Sequence, residues 1–253
     1  MTIFSAEDEA ATQVENERGA SAILLLGDHA GRAIPAALGD LGVSAQDLER
    51  HIAWDIGVAR LGAVLSRTLD ATFIHQRYSR LVIDCNRALS SRGSIVEISD
   101  GVAIPGNIGL TPADRRARAA DVYLPYHDRI ASELTKRKAR GARTVLVSLH
   151  SFTPVMGEEA RPWRMGVLHR NDSQFSLKVL SALRQELGDE VGDNQPYAMD
   201  GIDYTIPFHA DAHDLEYVEL EVRQDLIAGA EGQQTIGALL ARVLAQAMPV
   251  RGP

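Results

Sequence analysis

Cysteine is almost missing from this chain of 253 residues: Cys85 is the only one. An internal disulfide and a multi-cysteine metal site are thereby excluded, and a reducing, cytoplasmic compartment is the expectation. No apolar run approaches the roughly 20 residues that a membrane span needs, so no membrane partner is expected. The acidic N-terminal stretch has no basic segment followed by an apolar one, which argues against a secretory signal. Basic residues are also in deficit, with 26 Lys and Arg against 34 Asp and Glu and a formal charge of −8. Nucleic acid is therefore a poor candidate partner, because its binders normally carry a basic surface that displaces counterions from phosphates. There is no internal repeat and no linker-like stretch. A GxSxG elbow is missing too, which leaves Ser148 and Ser151 without the setting of a serine-hydrolase nucleophile.

What remains, 45% hydrophobic and 24% charged residues with ordinary glycine and proline content, suits a folded globular protein. The length fits a single α/β domain over residues 1–253. "AILLL" (22–26) is a short continuous apolar run ended by Gly27, as in a strand buried on both faces. Residues 44–68 space Leu48, Ile52, Ile56, Leu61 and Leu65 as a helix does, against the resistance of Gly57 and Gly62. "ATFIH" and "RLVID" are strand candidates. The glycine-containing stretch 90–109 reads as an irregular excursion, a kind of segment that often covers a site. In "TPAD" Thr111 caps a helix whose first turn holds Pro112, with a break expected at Pro125. "TVLVSLH", "RMGVLHR" and "LEYVELEV" follow as strands, and 173–187 and 234–248 as helices. This alternation predicts a mixed, mostly parallel sheet in a three-layer α/β/α fold.

Ligands of such folds bind beyond the carboxyl ends of the strands. His29 follows one predicted strand, Asp84, Asn86 and Arg87 another, and His150 ends a third. Neutral imidazoles are good zinc ligands, and a catalytic zinc takes three protein ligands. Each histidine read alone is equally a core or loop imidazole held by a backbone partner. The HxxE spacing that would place a carboxylate beside His29 is absent, since Arg32 occupies that position; Asp55 is the candidate third ligand, or else a helix-surface carboxylate. Arg80 and Arg87 suit a substrate carboxylate or a developing oxyanion, or a surface ion-pair network with Asp84. Glu219 and Glu221 share one side of a strand. If Val218, Leu220 and Val222 face the core, both glutamates face the solvent or the site, and one near a zinc could take a proton from bound water.

Taken in order, "GDHAGRAIP", "WDIGVARL", "SRLVIDCNR", "YLPYH", "SLHSFTP" and "VELEVRQDLI" resemble the N-formylglutamate amidohydrolase family over about residues 22–228. The resemblance implies a phosphorylase/hydrolase-like fold, distantly related to zinc carboxypeptidases and aspartoacylases. It implies one Zn2+ per chain, or another divalent metal, held by His29, Asp55 and His150. It further implies Glu221 as general base, Arg80 polarising the scissile carbonyl, and Asn86 and Arg87 holding a substrate carboxylate. Arg223, on the same side as Glu221, would assist substrate binding. The expected substrate is a small N-acyl amino acid, classically N-formylglutamate. The first loop reads "GDHAG" where the best-known members have "SPHSG", and the segments after residues 151 and 190 mark a separate branch, so the substrate is left open. In "HADAH" His209 and His213 form an i,i+4 pair that could bind metal on a helix, but they are expected in a substrate loop because a zinc needs only three protein ligands, with Tyr126 and His127 bracing the site or its lid. A ligand-binding protein on the same scaffold, without chemistry, is the alternative.

Overall fold

The computed structural model of the chain describes residues 2–170 and 173–248. The strands are β1 (Thr12–Glu15), β2 (Ile23–Gly27), β3 (Thr72–Gln76), β4 (Ile98–Ser99), β5 (Val102–Ala103), β6 (Val145–Phe152), β7 (Val155–Met156), β8 (Glu159–Ala160), β9 (Met165–Leu168), β10 (Val191–Asp193) and β11 (Glu216–Arg223). The α-helices are α1 (Ala45–Leu48), α2 (Val58–Leu69), α3 (Pro112–Arg118), α4 (Leu124–Ala139), α5 (Gln174–Leu187), α6 (Thr205–His213) and α7 (Ala230–Ala247). Seven strands form one sheet in the order β1-β3-β2-β6-β11-β9-β10. β3, β2, β6 and β11 are mutually parallel, while β1 and β9 run antiparallel to their neighbours β3 and β11. The sheet is thus mixed and mostly parallel.

Alternation along the strands builds two cores, because successive side chains point to opposite faces. Ile23, Leu25, Val147, Leu149, Val218, Leu220 and Val222 pack under α2, α5 and α7. Leu24, Leu26, Leu146 and Tyr217 pack on the other face with α4, α6 and the long excursion before α3. That arrangement gives three layers. It also fixes which side of β6 and β11 is left for chemistry: the face opposite Leu149 and Leu220.

Several local expectations are replaced by a different solution. "RLVID" forms no strand. Leu81, Val82 and Ile83 are buried in the second core, but side chains satisfy backbone groups that a ladder would otherwise pair. Asn107 donates to the Leu81 carbonyl, buried Arg118 to that of Val82, and the Asp84 N–H to the Ser94 carbonyl. The stretch 44–68 divides into α1, a coil turn and α2, with Gly57 at φ +86° as N-cap of α2. The predicted break before Pro125 is a π-helical turn, Ala119–Tyr123, between α3 and α4. His209 and His213 lie in α6, not in a substrate loop.

Gly57 is demanded twice over. Its φ lies in the left-handed region, and a Cβ there would stand 2.3 Å from the Ile227 carbonyl oxygen. The Gly57→Ala variant should lose roughly 2–3 kcal/mol of unfolding free energy, from backbone strain plus overpacking, measured by denaturant unfolding.

Candidate metal and catalytic centre

Five chain segments deliver the site. Asp28 and His29 follow β2 directly. His150 comes from the last turn of β6, and Glu219 and Glu221 from β11. In the parallel β6–β11 register His150 lies beside Glu221 and Ser148 beside Glu219, so all four side chains share one face. Asp55 is supplied by the turn before α2, held by its own N–H on the His29 carbonyl at 2.8 Å. Arg80 and Asp84 come from the irregular segment that follows β3. The loop after His29 is pressed against that segment: a Cβ on Gly31 would lie 1.9 Å from the Arg77 carbonyl oxygen.

The two imidazoles meet edge to face with centroids 5.1 Å apart. His150 Nδ1 is 3.0 Å and His29 Nδ1 is 3.6 Å from the same oxygen, Asp55 Oδ2. Donors bound tetrahedrally to zinc at about 2.0–2.1 Å are about 3.3 Å apart, so these spacings suit a shared cation. His29 Nδ1 is buried without a hydrogen-bond partner. The remaining ring nitrogens are held from behind: His29 Nε2 donates to Asp84 Oδ1 at 2.6 Å, and His150 Nε2 lies 3.1 Å from Ser148 Oγ and 3.4 Å from Asp28 Oδ2. Carboxylates behind ligating imidazoles fix the tautomer and raise ligand basicity.

Charge points the same way. Burial opposes ionisation of Asp55, yet His29 and His150 hold its carboxyl far below the usual range. Burial likewise opposes ionisation of Asp84, but His29 and Arg80 hold it well below that range. Against its own burial, Asp28 is held at about 2 by His150 and His29. The imidazoles respond in the opposite sense. Burial lowers both, and Arg80 also lowers His29, yet the surrounding carboxylates leave His29 raised and His150 well above normal. Three carboxylates and the Arg80 guanidinium leave two negative charges. Protonated His29 and His150 cancel them in the metal-free protein; a divalent cation cancels them with both rings neutral. The donor set therefore fits a divalent metal.

A cavity of about 460 Å³ opens onto this group. His29, Asp55, Arg80, Asn86, Arg87, His150 and Glu221 all line it. Arg80 reaches Asp84 at 2.8 Å and Asp55 at 3.5 Å. Glu219 and Glu221 are 2% and 6% exposed, each with an unpartnered Oε2. Burial pushes both carboxyls up to about 8.

The structure places the remaining candidates as follows. Arg223 is absent from the cavity lining; its guanidinium closes on Asp225 at 2.8 and 3.3 Å, a partner only two residues away. Asn86 Nδ2 donates to Asp203 through one of its two N–H groups, while Oδ1 accepts the N–H groups of Tyr204 and Thr205 at the start of α6. It braces the wall of the cavity. His209, inside α6, pairs with His127 Nδ1 at 3.0 Å, and His127 Nε2 donates to the Cys85 carbonyl. Ser148, His150 and Asp55 have hydrogen-bond spacings like those of a nucleophilic triad. Ser148, however, is fully buried and outside the cavity lining, so no substrate reaches it.

Asp28 and Asp203 escaped the sequence reading. Asp28 stands beside His29 in "GDHAG", where adjacency to a candidate ligand was the available signal. Asp203 lies in a loop whose path depends on Asn86, a contact across more than a hundred residues that no local pattern reveals.

The N-formylglutamate amidohydrolase family matches residues 21–228. The chain is similar to the crystal structure of a gene product from Agrobacterium tumefaciens, with TM-score 0.93 and 37% identity over 97% of both chains. Its fold also resembles that of an N-formylglutamate amidohydrolase from Ralstonia eutropha, with TM-score 0.71 and 19% identity over 93% of this chain and 96% of the other. No curated protein matches the chain.

Because His29 and His150 are raised above their ordinary values in the metal-free protein, a bound divalent ion must displace their protons. Zinc affinity should therefore fall as pH is lowered through and below neutrality, with up to one proton released per histidine. Calorimetric titration in buffers of different ionisation enthalpy measures that release. Asp55→Ala should abolish stoichiometric binding by metal analysis.

Proposed function

The chain belongs to the N-formylglutamate amidohydrolase family, and on that basis we propose that it hydrolyses N-formyl or other N-acyl amino acids with a zinc ion held by His29, Asp55 and His150. It is a hydrolase of a non-peptide amide. The observation that carries the metal reading is the convergence of two buried imidazole Nδ1 atoms on one oxygen of Asp55, each ring backed by a carboxylate. Among the described residues this is the group of His, Cys, Asp and Glu that could hold a metal ion.

Bound there, a divalent cation supplies Lewis acidity, lowering the pKa of water and polarising an acyl oxygen. Glu221 handles the proton. It lines the cavity beside His150, and burial gives its carboxyl a proton affinity near neutrality, the range that suits a group that must both take and return a proton. It removes a proton from the attacking water. As the C–N bond breaks, it delivers that proton to the leaving nitrogen, so that a carboxylate and a free amino acid result. Arg80 is oriented by Asp84 and Asp55, and the guanidinium N–H groups not engaged there donate to the acyl oxygen as negative charge grows on it. Arg87, at the cavity wall, receives the α-carboxylate. Leu81, Phe152 and Leu168 supply apolar wall that excludes bulk water and strengthens these interactions.

We place the reaction in the cytoplasm, where buried, unpaired Cys85 stays reduced. No described helix is long and apolar enough to cross a membrane.

Metal analysis combined with turnover on a panel of N-formyl and N-acetyl amino acids, with and without chelator, tests the reading. About one zinc per chain and chelator-sensitive deacylation are expected. Metal with no turnover on any derivative would instead indicate a binding protein. Glu221→Gln should keep its zinc and lose about 10²–10⁴-fold in kcat. Arg80→Met should lose about 10²–10³-fold, chiefly in kcat.

A further inference from the structure

Glu219 is a buried carboxyl that the reaction leaves without a task. It projects from β11 two residues before Glu221, on the same face, and lines the same cavity while only 2% exposed. Its Oε2 has no hydrogen-bond partner, and a buried acceptor in that state calls for a donor. Asp203, its side chain 11% exposed, also lines the cavity and stands close enough for the two carboxyls to repel. The arginines of the cavity do not offset the pair. Arg80 is divided between Asp55 and Asp84. Arg87 meets Asp203 at 3.2 Å and otherwise donates to the Asn86 and Ile202 carbonyls. His51 faces Asp100 at 3.7 Å, and burial lowers its pKa, leaving it a weak cation.

One arginine at this wall can meet the α-carboxylate common to every N-acyl amino acid. At this wall a second substrate carboxylate would face the oxygens of Glu219 and Asp203, whereas Arg161 stands over Phe152 and Tyr197 and donates to Thr153 and the Tyr197 hydroxyl. A side chain bearing N–H groups and positive charge would satisfy both, and would hold ionised the Glu219 carboxyl that burial otherwise keeps protonated up to about 8. Resting on the amidohydrolase reading above, we propose that Glu219 selects the substrate's side chain, and that this side chain carries an ammonium or guanidinium group. Glu219 touches the part of the substrate that does not react, so its effect falls on discrimination between substrates. Rejection of acidic side chains is then as much a property of the site as attraction of basic ones.

The test uses zinc-loaded enzyme and Nα-formyl and Nα-acetyl derivatives of lysine, arginine, leucine and glutamate, with Glu219→Gln measured alongside. The wild type should favour lysine or arginine over glutamate derivatives by about tenfold or more in kcat/KM. Glu219→Gln should shrink that ratio by about fivefold or more, through loss of kcat/KM on the lysine and arginine derivatives. Fastest turnover of the glutamate derivative, or an unchanged ratio in the variant, overturns the proposal and leaves amidohydrolysis standing. If no derivative is hydrolysed, the amidohydrolase reading itself fails. Calorimetric titration with free lysine and free glutamate then decides the role of Glu219. Lysine binding that is tighter than glutamate binding and lost in Glu219→Gln supports it, and lysine binding no tighter than that of glutamate overturns it.

Discussion

The sharing of buried charge between His29, His150 and three carboxylates is the constraint on which the rest of the structure depends. Asp28, Asp55 and Asp84 are each at most 5% exposed, and ions so placed persist only when paired and hydrogen-bonded. Each carboxylate faces an imidazole, and each imidazole faces two carboxylates. Removing one partner strands a buried charge, so the group is held together as a unit. The fold around it reflects that requirement. β2, β6 and β11 must run side by side in fixed register, and the turn before α2 and the segment after β3 must both return to the end of β2, for the contributing segments to meet.

The architecture was largely legible in the sequence. Continuous apolar runs such as "AILLL" and "TVLVSL" announce strands covered on both faces, and alternation in "YVELEV" correctly divides Val218, Leu220 and Val222 from Glu219 and Glu221. The capping box of Thr111 and Asp114 marks a helix start where it was read. The misreadings occur where long-range contacts replace local ones. "RLVID" has the composition of a strand, but Asn107 and Arg118 reach in from later in the chain to take two of its carbonyls. Helical spacing over 44–68 says nothing about a carbonyl at Ile227 that leaves no room for a Cβ at Gly57.

At the site, sequence position indicated which residues stand at strand ends but not how they are engaged. His29, Asp55 and His150 come together because the sheet brings their segments together. Arg223 and Asn86 have chemistry suited to a substrate carboxylate, yet each is committed elsewhere, to Asp225 and to the start of α6. Residue type sets what a side chain can do, and neighbours from distant segments decide what is left free to do it. Asp84 shows the converse: it could have belonged to a surface network, and burial makes it the partner that orients His29 and Arg80.

The turn that presents Asp55 rests on Gly57, and Gly57 lies against the main chain just ahead of α7. Helix α7 is on the far side of the sheet from the cavity, yet its leading edge is the backstop for the segment that carries Asp55. Perturbation there would arrive at Asp55 through main-chain displacement, making the outer layer a remote adjuster of the spacing between Asp55 and the two imidazoles.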